Sequence, residues 1–249
     1  MFWKNPDILF ICNSRITEYD IKSGNTSIMK AFHLATPERI AEIESMKKED
    51  RVVAVGNMSK NSNFAKALED GFNQVVREFC EANGLRTSDD VIDIYRDAVF
   101  VIAKQPQNTV IRDVCHFIPK NEYVGYLRCK NFEFFIGEDK IDVKGLNDSL
   151  IPLHEDGILA LIRKIYDVCV EVHMDPVQIN LFMKDVIKQY TDLDFVNEVY
   201  REFNTSSKYK VSYGESDFLM DHITDADLDH LDISYNYLHI LIPIIKVIC

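Results

Sequence analysis

The sequence predicts an α+β protein built on antiparallel sheet, and three observations support this fold class. Alternation of apolar and polar residues marks strands at residues 16–21 and 91–102. An aromatic-rich run with regular turn residues, over residues 110–143, is typical of further antiparallel strands. Apolar residues recur at helical spacing over residues 63–83 and again after residue 150. Together these patterns indicate a sheet with flanking helices, followed by a mostly helical region.

Composition limits the function before any motif is considered. The 249 residues carry a net charge of −12, which argues against indiscriminate binding to duplex DNA because phosphate neutralisation dominates such binding. The six cysteines are scattered without a Cys-x-x-Cys pair, so reduced thiols in a cytoplasmic compartment are expected and a zinc site is not. Any nucleic acid would have to be held by a local basic groove, by metal ions or by a partner.

The chain ends show no pattern of membrane targeting. The N-terminus lacks the basic, apolar and small-residue order of a signal peptide. The apolar residues 238–249 are interrupted by Pro243 and Lys246, and they fall short of the roughly 20 residues that a membrane helix needs. We therefore expect no membrane association. The tail is expected to be either a buried terminal element or a surface for a protein partner.

Residues 15–31 form the first candidate site. Alternation predicts a strand that ends near Asp20, and Ser23-Gly24-Asn25 then supplies a turn before a helix. A carboxylate at a strand end can hold a divalent cation, while the free N–H groups of a helix start face an anion such as phosphate. The alternative is an ordinary strand–turn–helix with a solvated aspartate.

Two further elements are predicted in the first fifty residues. The apolar run at residues 7–12 is expected to pair with the strand at residues 15–21 through a tight turn at Asn13 and Ser14. A helix is expected over residues 36–46, with proline at its first helical position.

The next segment supplies two candidate phosphate contacts. Residues 47–51 are highly charged and are predicted to form a solvated loop, and residues 52–55 a short strand or a helix edge. Residues 63–83 carry a helical apolar stripe. Lys60 and Lys66 lie at the start of this helix, where the dipole slightly disfavours cations. A phosphate at this position would explain them, and a plain solvated helix end is the alternative.

Asp97 is the second candidate metal ligand. It lies between two β-rich runs within residues 91–102, which predicts either a hairpin with Asp97 at its tip or one long strand with Asp97 midway. A buried carboxylate without a partner would be costly, and a metal ion would compensate its charge. An exposed hairpin tip is the simpler alternative.

Lysines and aromatic residues in the following region suggest a surface for nucleic acid. Residues 110–143 are predicted to form a three- or four-stranded antiparallel meander. Lys120 and Tyr123 lie within it, and Lys144-Gly145 follows directly. Lysines among aromatic side chains on a sheet suit contact with a single strand, although Lys-Gly is also a common turn.

Helices are predicted in the last hundred residues. Residues 156–172 and 176–190 each carry an apolar stripe, and a shorter helix is expected at residues 193–203. The acidic residues between positions 221 and 232 lack the ordered spacing of a calcium loop. A solvated loop is therefore expected there.

The first candidate site resembles the first catalytic motif of family B DNA polymerases. That motif reads Asp-x-x-Ser-Leu-Tyr-Pro-Ser-Ile, and the sequence here has Asp20-x-x-Ser23-x-x-x-Ser27-Ile28-Met29. The aspartate, both serines and the isoleucine carry the similarity.

Later segments extend the resemblance in the same order along the chain, over about residues 10–205. Tyr95 and Asp97 are similar to part of the third polymerase motif, Tyr-Gly-Asp-Thr-Asp, which presents acidic residues at a hairpin turn. Lys120-x-x-Tyr123 is similar to the Lys-Lys-x-Tyr of the family. A Lys-Gly dipeptide follows it, as in the family, where this dipeptide contacts the primer–template backbone.

The resemblance implies a fold and a domain organisation. Residues 1–104 would form a palm-like domain of antiparallel sheet with flanking helices, and residues 105–149 a β-meander platform. Residues 150–249 would form a mostly helical, thumb-like region that ends in the apolar tail. We expect a minimal or degenerate palm encoded by a phage or a mobile element.

The resemblance also implies a reaction, metal-dependent nucleotidyl transfer onto a primer strand. Asp20 and Asp97 would be the catalytic residues and the ligands of Mg²⁺ or Mn²⁺. The other candidates would bind the two substrates: Ser23, Gly24, Asn25, Lys60 and Lys66 the nucleoside triphosphate, and Lys120, Tyr123, Lys144 and Gly145 the primer strand.

Three departures from the family leave the function open. The chain is too short for exonuclease and full fingers domains, Asn25 replaces the tyrosine that discriminates against ribose, and no second aspartate follows Asp97. One alternative is therefore a non-catalytic descendant of the polymerase fold that serves as a structural or assembly protein of a phage particle or replication complex. Another is an unrelated α+β interaction module, in which Asp20 and Asp97 would lie far apart. We expect the protein in the host cytoplasm or in the virion.

Overall fold

The computed structural model describes residues 2–129, 132–144, 155–191, 244 and 246–248. Its strands in chain order are β1 (Phe2–Lys4), β2 (Phe10–Ile11), β3 (Ile16–Ile21), β4 (Val91–Tyr95), β5 (Ala98–Ile102), β6 (Val110–Ile111), β7 (Cys115–Tyr123), β8 (Gly125–Cys129), β9 (Phe132–Ile136) and β10 (Ile141–Lys144). Its named helices are α1 (Gly24–Ala31), α2 (Pro37–Ser45), α3 (Lys48–Met58), α4 (Ser62–Ala82), α5 (Glu155–Glu171) and α6 (Pro176–Thr191). The protein is α+β with two antiparallel sheets, as predicted.

The chain divides into two compact units. The first comprises Met1–Ile8 and Ser14–Tyr123, and the second comprises Leu9–Asn13 with the described part of Val124–Cys249. The first unit continues past residue 104, where the palm-like domain was expected to end, because β7 pairs with β3 along its whole length.

The first unit is a six-stranded antiparallel sheet in the order β1-β4-β5-β3-β7-β6, with helices α1–α4 packed against one face. Tyr19 and Ile21 of β3 point toward the helices and are buried in the same core as Phe72 of α4. Because side chains alternate along a strand, Glu18 and Asp20 lie on the opposite face of the sheet.

The start of α2 follows the chemistry that the sequence predicts, and the structure shows a second side-chain cap at α4. Pro37 occupies the first turn of α2, and the side chain of Thr36 accepts a hydrogen bond from the backbone N–H of Arg39 over 3.3 Å. Asn61 caps α4 in the same way. Each cap satisfies backbone donors that a helix start leaves without an internal partner.

The prediction of a loop at residues 47–51 was wrong. Residues 48–51 lie in α3, which continues through residues 52–55 as well, and Lys47 directly precedes the helix. Glu49 and Asp50 stand in its first turn, where acidic side chains are favoured by the helix dipole. The charge density that suggested a solvated loop belongs to the exposed side of a helix.

The predicted pairing of residues 7–12 with β3 was also wrong. Within that run β2 pairs with β8, with Phe10 opposite Leu127 and Ile11 opposite Tyr126. Phe10 packs against the core of the second unit. A wider sheet with a helical layer buries more apolar area than an isolated two-stranded hairpin, which favours this partner.

The second unit contains a four-stranded antiparallel sheet in the order β10-β9-β8-β2. Strands β8–β10 form the three-stranded meander that the sequence predicts, whereas β7 belongs to the first sheet. Helices α5 and α6 were predicted and pack with this sheet around one apolar core. Ile244 of the apolar tail is buried in the same core. The helix predicted at residues 193–203 and the acidic residues 221–232 lie outside the described residues.

Across the part of the chain that the structure describes, no helix has the length and apolar character needed to span a membrane.

Candidate active site

Asp20 lies at the end of β3, on the face of the sheet opposite the helices. It is paired with Ala98 of β5 on one side and with Ile118 of β7 on the other. This position follows from the alternation of β3, which buries Tyr19 and Ile21 against the helices. Asp20 is therefore held on a central strand of the sheet, near the end of β3 and the start of β5.

Asp97 lies at the tip of the β4–β5 hairpin, as the first of the two interpretations predicted. Arg96 completes the two-residue turn with a positive φ of 57°. A positive φ in a two-residue turn lets the twist of the turn match the right-handed twist of the two strands. The backbone N–H of Ile21 donates a hydrogen bond to the carbonyl oxygen of Asp97 over 3.1 Å. The structure thus brings Asp20 and Asp97 together where β3 ends and β5 begins.

The two acids influence each other electrostatically. Burial raises the pKa of the Asp97 carboxyl above its ordinary value, and the nearby negative charge of Asp20 raises it further. A cation that approaches both acids would stabilise the ionised form of the Asp97 carboxylate.

Lys120 supplies a positive charge beside Asp20. The pairing of β3 with β7 shifts register between Glu18 and Tyr19, which leaves Lys120 as the extra residue of a β-bulge. Its Nζ lies 2.8 Å from Oδ2 of Asp20 and 3.9 Å from Oε1 of Glu18. The hydrogen bond to Asp20 raises the pKa of the Lys120 ammonium.

Glu18 belongs to the same group of charges, and the sequence reasoning missed it. Its carboxylate is 8% exposed and accepts hydrogen bonds from Nδ2 of Asn121 over 2.6 Å and from the hydroxyl of Tyr123 over 3.3 Å. Tyr123 is buried and its ring lies against Phe100. The alternation of this strand already puts Glu18 and Asp20 on one face, and that shared face was the signal that could have added Glu18 to the candidate site.

The start of α1 faces Asp97. Ser23 adopts a left-handed conformation, with φ 51°, and its side chain does not cap the helix. A Cβ atom on Gly24 would lie only 3.0 Å from Oδ2 of Asp97, so glycine allows the close approach of helix and hairpin. Asn25 is fixed to the hairpin because its Oδ1 accepts a hydrogen bond from Arg96 over 3.1 Å.

A cavity of about 250 Å³ opens at this point. Ser23, Gly24, Asn25, Thr26, Ile43, Lys48, Arg51, Val52, Val55 and Asp97 line it. It therefore combines a helix N-terminus without a side-chain cap, two cationic side chains and an apolar wall beside one candidate metal ligand.

Lys48 and Arg51 are the cations that the sequence reasoning missed in this cavity. They were assigned to a loop, yet with Val52 and Val55 they have the spacing i, i+3, i+4, i+7 of one helical face. That periodicity was the signal that could have placed them together.

The remaining predicted contacts are not among the residues that line the cavity. Lys60 and Lys66 are exposed near the start of α4 and do not line the cavity. Lys144 ends β10 in the second unit, with its Nζ 5.0 Å from the ring centroid of Phe135. Gly145 lies outside the described residues.

Comparison with known proteins assigns the chain to a family. A family model described as Bacteriophage PBS1 gene 130 protein matches residues 1–249. The chain belongs to this family. The expectation of a phage-encoded protein is therefore confirmed. A search of curated proteins finds no match.

In this member of the PBS1 gene 130 family, the acids of the site supply some of the ligands that a magnesium ion needs, and the others would have to come from substrate and water. Among the described residues, no group of three or more His, Cys, Asp or Glu side chains is arranged to hold a metal. Mg²⁺, however, is commonly held by one or two carboxylates together with substrate phosphates and water. Asp20 and Asp97 supply two carboxylates, and the cavity beside Asp97 provides room for phosphates.

Proposed function

We propose that this phage protein is a metal-dependent nucleotidyltransferase that resembles a minimal family B polymerase palm and extends a primer strand. One observation carries the proposal. Two acids separated by 77 positions in the chain meet at the ends of adjacent strands, and one of them, Asp97, lies beside a helix start and a cationic cavity. Each of these features is what a site for a metal-bound triphosphate requires.

In this proposal Asp20 and Asp97 hold Mg²⁺ or Mn²⁺. A divalent ion at such a site lowers the pKa of an attacking hydroxyl and stabilises charge on the transferred phosphate. The raised pKa of Asp97 supports this assignment, because functional carboxylates are often found where like charges are held close together.

The triphosphate is proposed to enter the cavity. Ser23, Gly24 and Asn25 begin α1, whose backbone N–H groups can donate to phosphate oxygens. Lys48 and Arg51 add positive charge from α3. Lys60 and Lys66, which are exposed but near the start of α4, stay in the proposal as outer contacts.

The primer strand is proposed to contact Lys120, and Lys144 and Gly145 are kept as further proposed contacts. Lys120 is 53% exposed on its side chain, so its ammonium can reach a ligand while it remains beside Asp20. Tyr123 is buried, so in this proposal it does not contact the primer and acts through its hydrogen bond to Glu18.

Incorporation of labelled nucleotides tests the proposal. Purified full-length protein is incubated with Mg²⁺ or Mn²⁺, a primed DNA or RNA template and each nucleoside triphosphate. Asp20→Ala and Asp97→Ala should each reduce incorporation by at least about a hundredfold, equivalent to about 2.7 kcal/mol of barrier. Asp139→Ala, at an exposed acid of the second unit, is the matched control. Incorporation that survives both site substitutions would refute the assignment.

The second candidate function is a non-catalytic structural or assembly protein of the phage particle or replication complex. The 2.8 Å ion pair between Lys120 and Asp20 favours it, because a permanently paired carboxylate is a weaker metal ligand. The net charge of −12 favours it as well. Thermal unfolding with millimolar Mg²⁺ separates the two, since ligand binding raises the midpoint by mass action and a scaffold would show no shift.

A further inference from the structure

The position of Lys120 adds a specific element to the proposed site. Its ammonium lies 2.8 Å from Asp20 and 3.9 Å from Glu18. The charge of Asp97 also acts on it. Lys120 is thus a cation that Glu18, Asp20 and Asp97 share in the described structure.

The backbone holds Lys120 there. A β-bulge makes it the unpaired residue between Asn121 and Pro119, which pair with Glu18 and Tyr19. Bulges re-aim side chains and commonly do so beside active sites. Asn121 and Tyr123, the neighbours of Lys120 in β7, fix the Glu18 carboxylate by hydrogen bonds. The lysine therefore faces an acid that is itself held in place.

Charge also limits how many ions the site can hold. Glu18, Asp20 and Asp97 together carry three negative charges, and Lys120 neutralises one of them, which leaves two. A single divalent ion completes the compensation, whereas a second ion would compete with the ammonium for Asp20. Two-ion sites use both ions to stabilise the attacking and leaving oxygens.

We infer that the Lys120 ammonium serves as one of the two positive charges of the site, so that the protein binds a single divalent ion per chain. This inference rests on the proposed nucleotidyl transfer. In that reaction the 3′ oxygen of the primer bonds to the α-phosphorus, the bond to the β-phosphate oxygen breaks, and pyrophosphate leaves with the electron pair. The hydroxyl proton passes to water. No covalent bond to Lys120 forms or breaks, and its ammonium acts through its charge and its hydrogen bonds.

Counting bound Mn²⁺ tests the inference independently of activity. Electron paramagnetic resonance measures free Mn²⁺ during titration of the full-length protein, with a saturating non-hydrolysable nucleoside triphosphate and a nucleotide-only blank. The wild type should bind one ion per chain. Two ions per wild-type chain would overturn the inference and leave the proposed reaction standing. No ion bound would overturn both.

Substitution of Lys120 supplies the second test. Lys120→Met should slow transfer by about a hundredfold, create a second Mn²⁺ site and recover activity at the Mn²⁺ concentration that fills it. Lys120→Arg should keep one ion. Lys30→Met is the matched control, because Lys30 also forms an exposed ion pair, 2.7 Å from Glu44. Faster transfer by Lys120→Met, or no second ion and no recovery, would overturn the inference.

Discussion

The backbone N–H of Ile21 donates a hydrogen bond to the carbonyl oxygen of Asp97 over 3.1 Å, and this bond ties the end of β3 to the tip of the β4–β5 hairpin. Ala98 continues the pairing with Asp20. The backbone positions of the two acids are therefore fixed relative to each other by hydrogen bonds. A fixed backbone is one requirement of a pre-organised site.

Asp97→Asn should stabilise the protein while it abolishes transfer. The substitution removes a carboxylate whose ionised form is disfavoured by burial and by Asp20. We expect the thermal midpoint at pH 8 to rise by a few degrees, because active-site groups are often kept at a cost in stability. Scanning calorimetry checks this, and a lower midpoint would show that Asp97 is stabilised by contacts that asparagine cannot replace.

The gain from Asp97→Asn should depend on pH in a defined direction. The folded-state pKa of Asp97 is raised above its ordinary value of 3.8. At pH values between the pKa of the unfolded chain and that of the folded protein, the folded protein therefore binds more protons than the unfolded chain. The stability of the wild type then falls as pH rises through the folded pKa. Wild type and variant should therefore unfold together below about pH 3.8 and diverge above it. Parallel curves at all pH values would contradict this account.

Gly24→Ala should disturb the site with little effect on the rest of the fold. The added Cβ would lie 3.0 Å from Oδ2 of Asp97 and 3.1 Å from the ring of Phe72, so the carboxylate has to move. We expect at least a tenfold loss of transfer, equivalent to about 1.4 kcal/mol of barrier. Gly56→Ala is the control, because a Cβ there meets nothing within 4 Å. It should keep activity and add about 0.5–1 kcal/mol of stability within a helix.

Lys48 and Arg51 should contribute to nucleotide affinity. Replacing either by methionine removes a cation from the cavity wall, and each should raise the KM for nucleoside triphosphate about tenfold, since charge-assisted bonds to phosphate are worth roughly 1.5–3 kcal/mol. Lys60→Met and Lys66→Met should have smaller effects, because these exposed lysines do not line the cavity. The reverse order of effects would place the triphosphate beside α4.

The second unit offers a test of stability that is independent of activity. The hydroxyl of Tyr166 accepts a hydrogen bond from the N–H of Asn13 over 3.1 Å and donates one to the carbonyl of Val124 over 2.8 Å. Tyr166→Phe leaves both backbone groups without this partner and should cost about 1–3 kcal/mol. Urea denaturation measures the change, and an unaltered midpoint would mean that water replaces the hydroxyl.

Local patterns predicted the parts of the site that neighbouring residues determine. Alternation around Asp20 predicted a strand, and the β-rich runs around Asp97 predicted either a hairpin or one long strand, of which the structure has the hairpin. The helix start at Thr36 and Pro37 was predicted as well, because all of these features depend on short-range backbone preferences. The order of these features along the chain supported the polymerase resemblance, which stays a proposal.

Contacts between segments that are distant in the chain could not be predicted from local sequence patterns. Nothing within residues 7–12 shows that β2 pairs with β8, since strand pairing depends on which apolar face lies nearby. The charged residues of α3 suggested a loop, so the helical face that carries the buried Val55 was not recognised. The cationic side of the cavity, which belongs to the same face, was missed with it. The bulge that aims Lys120 at Asp20 is a property of two paired strands, so neither strand reveals it alone.

The most direct test of the central claim is a crystal structure grown with Mn²⁺ and a non-hydrolysable nucleoside triphosphate. Anomalous scattering locates manganese without reference to any assumed site. We predict a peak in contact with the carboxylates of both Asp20 and Asp97, with the triphosphate at the start of α1. Manganese bound elsewhere, or no manganese at either acid under saturating conditions, would contradict the account.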